Sequence, residues 1–188
     1  MSSTEQAGQD AQIIGDDPDE LFDLIDERDQ VIGQVRRGDA HRDPSLVHRS
    51  VQILVFDPHG RVLLQRRSQA KDLFPGYLCA SASGHVGSGE DYAQTAAREI
   101  QEELGITLPL TLVGKALVRS AQETEMTAVF VAHSGGPFRF HPTETDGGQF
   151  VAPAALALGR ATGSLRLTPA TLVALDVVAA ANGECAPG

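Results

Sequence analysis

Residues 84–106, GHVGSGEDYAQTAAREIQEELGI, constrain this chain more than any other stretch. Tyr92, Ala93, Ala96, Ala97 and Ile100 recur among the charges at helical spacing, which predicts a helix over about residues 91–104 with one buried side. Gly105 stands where a helix C-terminal glycine belongs, since glycine takes the left-handed conformation there without strain. Glu99, Glu102 and Glu103 are three and four residues apart, so their carboxylates project from one face. Three acids held so close repel one another unless a cation sits between them. All-oxygen ligation suits a hard ion, Mg²⁺ or Mn²⁺. Gly84 lets the backbone approach the helix and offers its carbonyl as a further metal ligand. Arg98 points about 100° away from Glu99 around the helix, so its expected partner is Glu90.

The segment is similar to the Nudix box, G-x5-E-x7-R-E-U-x-E-E-x-G-U with U aliphatic, at every specified position. Ile100 and Ile106 fill the aliphatic places. The resemblance implies an α/β/α sandwich with a mixed β-sheet, and an enzyme that cleaves a phosphoanhydride bond. It also implies a division of labour: metal and catalysis on Glu99, Glu102 and Glu103, scaffolding on Glu90 and Arg98.

At 188 residues the chain is long enough for one domain with a proper core. Six of its acids and no Lys or Arg fall in residues 1–20, and the balance of charge argues against a nucleic-acid partner. Residues 1–19 therefore read as a disordered acidic arm, 20–182 as the catalytic domain and 183–188 as a loose tail. No apolar stretch is long enough to span a membrane, and the N-terminus has no signal-peptide pattern. Two cysteines, Cys79 and Cys185, make no disulfide framework, which fits a cytoplasmic protein. Nothing in the sequence specifies an oligomeric state.

Two short strands are expected from Leu21 to Arg36 around a polar turn at Glu27–Gln30, then strands over residues 47–57, 61–67, 78–83, 108–119 and 127–132. A loop rich in Gly, Pro and Thr covers 134–148. A short helix is expected at Pro153–Leu158, and another from Pro169, capped by Thr168 and running to about Ala181. The fold class is α+β. Phe74, Tyr77, Phe138 and Phe140 are candidates for a pocket lining or for the core, with the core favoured.

Upstream of the box, His41 and His48 stand seven apart with Arg49 following. Residues 66–76, RRSQAKDLFPG, carry Arg67 and Lys71 before a Pro-Gly break; Ser83-Gly84-His85 and Glu123-Thr124-Glu125 come later. Together these resemble type I isopentenyl-diphosphate isomerase and the Nudix hydrolases grouped with it, from about Leu21 to Phe150. The resemblance implies a second metal site on His41, His48, His85, Glu123 and Glu125. Arg67 and Lys71 are basic enough to grip a substrate diphosphate. Glu123, Glu125 and Glu144 join the box glutamates as candidates for the general base.

Two departures separate the chain from the isomerase. Ser83 stands where that family has its acid–base cysteine, and a hydroxyl is far less acidic than a thiol. Cys79 lies four residues earlier, on the same face of the expected strand and too far along it. The box is intact, whereas the isomerase's is degenerate. The leading reading is a Mg²⁺-dependent hydrolase of a nucleoside diphosphate-linked compound or a nucleoside di- or triphosphate. The alternatives are an isomerase-type enzyme and a diphosphate-binding sensor without turnover.

Overall fold

The computed structural model describes residues 17–71 and 73–183. Of the expected acidic arm, residues 1–16 lie outside this range, as do Cys185 and residues 184–188 of the tail. The chain opens with strands β1 (Leu21–Ile25) and β2 (Val31–Arg36), paired antiparallel in a two-stranded sheet. A single helical turn, α1 (Arg37–Ala40), follows. The main sheet is built from β3 (His48–Phe56), β4 (Val62–Arg67), β5 (Leu78–Cys79), β6 (Ala82–His85), β7 (Thr111–Arg119), β8 (Thr124–His133) and β9 (Thr145–Val151). Its path runs β5-β4-β3-β8-β7, with β6 on β3 and β9 on β4. β3 and β8 are parallel and the other pairs antiparallel, so the sheet is mixed.

Side-chain alternation along β3 divides the core in two. Val51, Ile53 and Val55 pack with Ala96, Ile100 and Leu104 of helix α2 (Tyr92–Leu104) on one face. Leu54 packs on the other with Val129, Leu175 and Val178, the last two from helix α4 (Pro169–Ala181). A further helix, α3 (Pro153–Thr162), also begins with its proline in the first turn. The result is an α/β/α sandwich.

Local chemistry places α2 closely. Asp91 accepts from the Gln94 N–H at 2.8 Å while Gln94 Oε1 accepts from the Asp91 N–H at 3.1 Å, a reciprocal cap. Gly105 ends the helix with φ +67°. The buried side differs from the expected one: Ala93 and Ala97 are exposed, and Thr95 is buried in their stead. Its hydroxyl donates to Glu90 at 3.0 Å, which a periodicity of apolar residues does not reveal.

Three other expectations change. The strand expected over 78–83 is two segments, because Ser81 turns its hydroxyl to the Val55 N–H and the Leu63 carbonyl and leaves the ladder. The loop expected over 134–148 gives way to β9 from Thr145. This strand's Asp-Gly-Gly-Gln composition is poor for a sheet, but its backbone pairs with β4. Phe138 and Phe140 pack on the core as expected, whereas Phe74 lines a cavity.

Candidate active site and metal centre

A cavity of about 390 Å³ opens beside the ends of β3, β6 and β8. Its lining includes Gly84, Glu99, Glu102, Arg98, His41, His85, Glu123, Glu125, Arg67 and Lys71. Sequence positions from His41 to Glu125 thus meet at one place.

Gly84 and α2 touch so closely that a methyl group at Gly84 would overlap the Glu99 carboxylate. Glu103 lies deeper. Its Oε1 accepts from the Ser83 N–H at 2.9 Å and its Oε2 from Gln65 Nε2 at 2.7 Å, both neutral donors. Burial raises its pKa to about 8, reinforced by the nearby Glu99 charge. Glu99 is raised to about 7 by burial, although Arg98 pulls the other way. Glu102 stands at the rim, its side chain 39% exposed.

Arg98 does not confine itself to Glu90. Its guanidinium lies 3.2 Å from Glu90, 2.7 Å from Glu99 and 3.3 Å from Glu102. The angle between α-carbons around a helix does not limit a side chain this long, and the unbalanced acids draw it in. Arg98 also donates to the His85 carbonyl, tying α2 to β6.

Next to the acids lies a second cluster. The ligand atoms of His41, His48, His85 and Glu123 all lie within 4.8 Å of one another. Glu123 Oε2 is 3.2 Å from His41 Nε2, 3.9 Å from His48 Nε2 and 3.7 Å from His85 Nε2, and Glu125 Oε1 is 3.3 Å from His85 Nε2. His48 opens β3, His85 closes β6, and His41 follows α1. Phe22 of β1 stacks on His48 and His85 with centroids 5.0 Å away from each, so the N-terminal hairpin roofs the cluster.

His41 Nε2, His48 Nε2 and Glu123 Oε2 are buried without a hydrogen-bond partner among the described residues. Orphaned lone pairs that converge on one point fit a cation. Burial, and the neighbouring His85, lower the pKa of His41 to about 4 and lower that of His48 too, keeping both neutral as ligands must be. Burial also opposes the charge on His85, but Glu123 and Glu125 outweigh it and hold its pKa up at about 9. The chain thus carries a candidate divalent-metal site of three imidazoles and a carboxylate.

Arg67 and Lys71 both line the cavity. Arg67 Nε donates to the Leu73 carbonyl at 3.0 Å, and Lys71 Nζ pairs with Glu144 at 2.6 Å. Glu144 thus has a cation beside it, whereas among the described residues none pairs with Glu103. Arg37 lines the same cavity and pairs with Glu20 at 3.3 Å. Nothing in its sequence context marks it out, because α1 is a four-residue turn without an apolar repeat. Cys79 is buried at the cavity wall. Burial raises its thiol to about 12, with Glu103 adding to the effect.

The NUDIX domain family matches residues 46–170. An uncharacterized Nudix hydrolase of Pseudomonas aeruginosa is 38% identical over 157 residues, 83% of this chain and 91% of that one. A Nocardia farcinica protein named isopentenyl-diphosphate Delta-isomerase is 33% identical over 170 residues, 87% and 97% of the two chains. Among solved structures, DR0079 from Deinococcus radiodurans aligns with a TM-score of 0.71 at 29% identity, over 85% of this chain and 98% of that one. With the family matched over most of the fold and relatives this similar along nearly the whole chain, the protein belongs to the Nudix hydrolase family, enzymes that act on pyrophosphate bonds.

Proposed function

We propose that the chain hydrolyses a phosphoanhydride bond in a nucleoside diphosphate-linked compound or a nucleoside di- or triphosphate, with Mg²⁺ or Mn²⁺ held by Glu99, Glu102, Glu103 and the Gly84 carbonyl. One observation carries this reading: Glu103 is a buried carboxylate whose oxygens receive, among the described residues, only neutral donors. A buried charge without a counter-ion is costly, and a divalent cation removes the cost. When bound, such an ion offsets phosphate charge and lowers the pKa of a water that attacks phosphorus.

The chain's own groups supply the rest. Gln65 and the Ser83 N–H hold Glu103 in place, and Arg98 keeps Glu99 and Glu102 from splaying. Arg67, Lys71 and Arg37 bring positive charge to the cavity, where the diphosphate oxygens would bind. Glu144 is held by Lys71, which makes it a weaker candidate for the base than the box acids. The low cysteine content fits work in the cytoplasm.

The test is release of phosphate or nucleotide from a panel of diphosphates. Turnover that requires Mg²⁺ or Mn²⁺ and drops at least about a hundredfold in Glu103→Gln is the expected result. Tight binding without release would favour the sensor instead.

The clustered His41, His48, His85, Glu123 and Glu125 support a second reading, the isomerase. Against it, Ser83 occupies the acid–base position, and the Cys79 thiol is too buried to ionise. Deuterium exchange into isopentenyl diphosphate at a rate matching turnover would establish it.

A further inference from the structure

Gln52 lies in β3 four residues beyond His48, and strand alternation puts His48, Ser50 and Gln52 on one face. Ser50 and Gln52 both line the cavity. Opposite Gln52 in the ladder is Ser83 of β6, whose N–H donates to Glu103, so Gln52 lies one strand position from a group that holds a box glutamate. Only 7% of Gln52 is exposed, yet its Oε1 is buried with no donor among the described residues. Beside it, Ser50 Oγ is matched, 2.7 Å from Thr127 Oγ1, whereas His48 Nε2 on the same face and Gln65 Oε1 also lack a partner among the described residues. A buried amide oxygen without a donor is rare, and one in the wall of a binding cavity is placed where a ligand's donor can reach it.

The chemistry of that partner is restricted. A carbonyl oxygen needs a donor, and an ionised diphosphate has only acceptors to offer. Hydroxyl and amino groups on the rest of the ligand can donate. A hydrocarbon chain cannot.

We propose that Gln52 is a specificity-determining residue whose side-chain carbonyl accepts a hydrogen bond from a hydroxyl or amino group on the organic part of a bound diphosphate compound. The assignment rests on the reading of the cavity as a diphosphate site. It goes further by assigning to one residue, Gln52, the discrimination between diphosphates whose organic part carries a donor and those whose organic part is a hydrocarbon.

Binding separates this from turnover. Calorimetry on the full chain in Mg²⁺ would use methylene-bridged, uncleavable analogues of the common ribonucleoside diphosphates and of isopentenyl diphosphate. The best nucleoside analogue should bind at least about tenfold more tightly than the isopentenyl analogue, the scale of one well-made hydrogen bond. Gln52→Met, of similar volume, should erase most of that preference by weakening the nucleoside analogue alone. Because the variant could misfold, O-methylated and N-methylated analogues are tested on the wild type as well, and blocking one donor should cost about tenfold. Equal affinities, indifference to every blocked donor, a preference unchanged in folded Gln52→Met, or no binding of either class would each overturn the assignment. If the pattern holds while unmodified diphosphates are not cleaved, the hydrolase reading falls and Gln52 keeps its role. Cleavage without the pattern would leave the hydrolase standing and remove Gln52 from its role.

Discussion

Gly84 and Glu99 are packed so closely that no side chain fits between them: a β-carbon on Gly84 would occupy the space of the Glu99 carboxylate. The obstructing atoms are the far end of a flexible side chain rather than backbone. Gly84→Ala should therefore leave a folded protein, destabilised by about 1 kcal/mol or less, in which Glu99 has swung aside. Activity should suffer far more, by at least about tenfold, through weaker metal binding. Thermal unfolding and a Mg²⁺ titration of turnover measure the two effects. Unaltered Mg²⁺ dependence would count against Glu99 as a ligand.

The imidazole cluster should bind ions of a different kind. Three nitrogens and a carboxylate favour Mn²⁺, Fe²⁺ or Zn²⁺ over Mg²⁺. Purified wild-type protein dialysed against Zn²⁺ should retain an ion that Glu123→Gln and His41→Gln lose or hold at least about tenfold more weakly. Elemental analysis gives the stoichiometry. Equal retention in all three proteins would remove the cluster as a metal site.

Turn chemistry at a distance from the site is equally testable. Asp29 takes φ +61° in the β1–β2 turn and receives Arg49 Nε at 2.6 Å, Lys115 Nζ at 2.6 Å and Tyr92 Oη at 3.0 Å. It joins the hairpin to β3, α2 and β7. Asp29→Ala loses these bonds and also strains the left-handed turn, so it should cost about 3 kcal/mol. Asp29→Asn tolerates that backbone and should cost about 1 kcal/mol less. Denaturant unfolding distinguishes them, and near-equal losses would mean that the backbone term is negligible.

Much of this architecture was legible because its signals are local. The Gly105 end of α2, the Thr168–Pro169 start of α4 and the β-branched run of β3 each lie within a few residues of what they specify. β9 was not legible, since its glycine-rich strand is recruited by pairing with β4 rather than by its own propensity. The histidines and acids could be matched to a resemblance, but their convergence depends on register: His48 beside Glu125, and Ser50 beside His85. Gln52 and Arg37 gave no signal. A glutamine in an alternating strand looks the same whether it faces solvent or a cavity, and one arginine in a four-residue turn resembles any surface charge.

The acids and histidines also set how the metal-free protein responds to pH. Burial holds Glu103 at about 8 and Glu99 at about 7, against an ordinary 4.5, and the Glu123 and Glu125 carboxylates hold His85 at about 9 against 6.5 despite its burial. Each keeps its proton in the folded chain at a pH where the unfolded chain has released it. Their contribution is full below the unfolded value and is lost as pH rises through the folded one. His41, lowered to about 4 by burial, and His48, lowered likewise, act in the opposite sense and only below about 6.5, where the unfolded chain gains protons that they refuse. Between 4.5 and 6.5 the two sets therefore oppose each other. From about 6.5 to 9 only the first set changes, so the unfolding midpoint in chelator should fall steadily across that window. Saturating Mg²⁺ replaces the protons on Glu99 and Glu103 and should flatten the fall. Melting curves at pH 6.5, 7.5 and 8.5 with chelator and with Mg²⁺ test both halves, and a midpoint that rises with pH in chelator would contradict the buried, proton-holding state of these carboxyls.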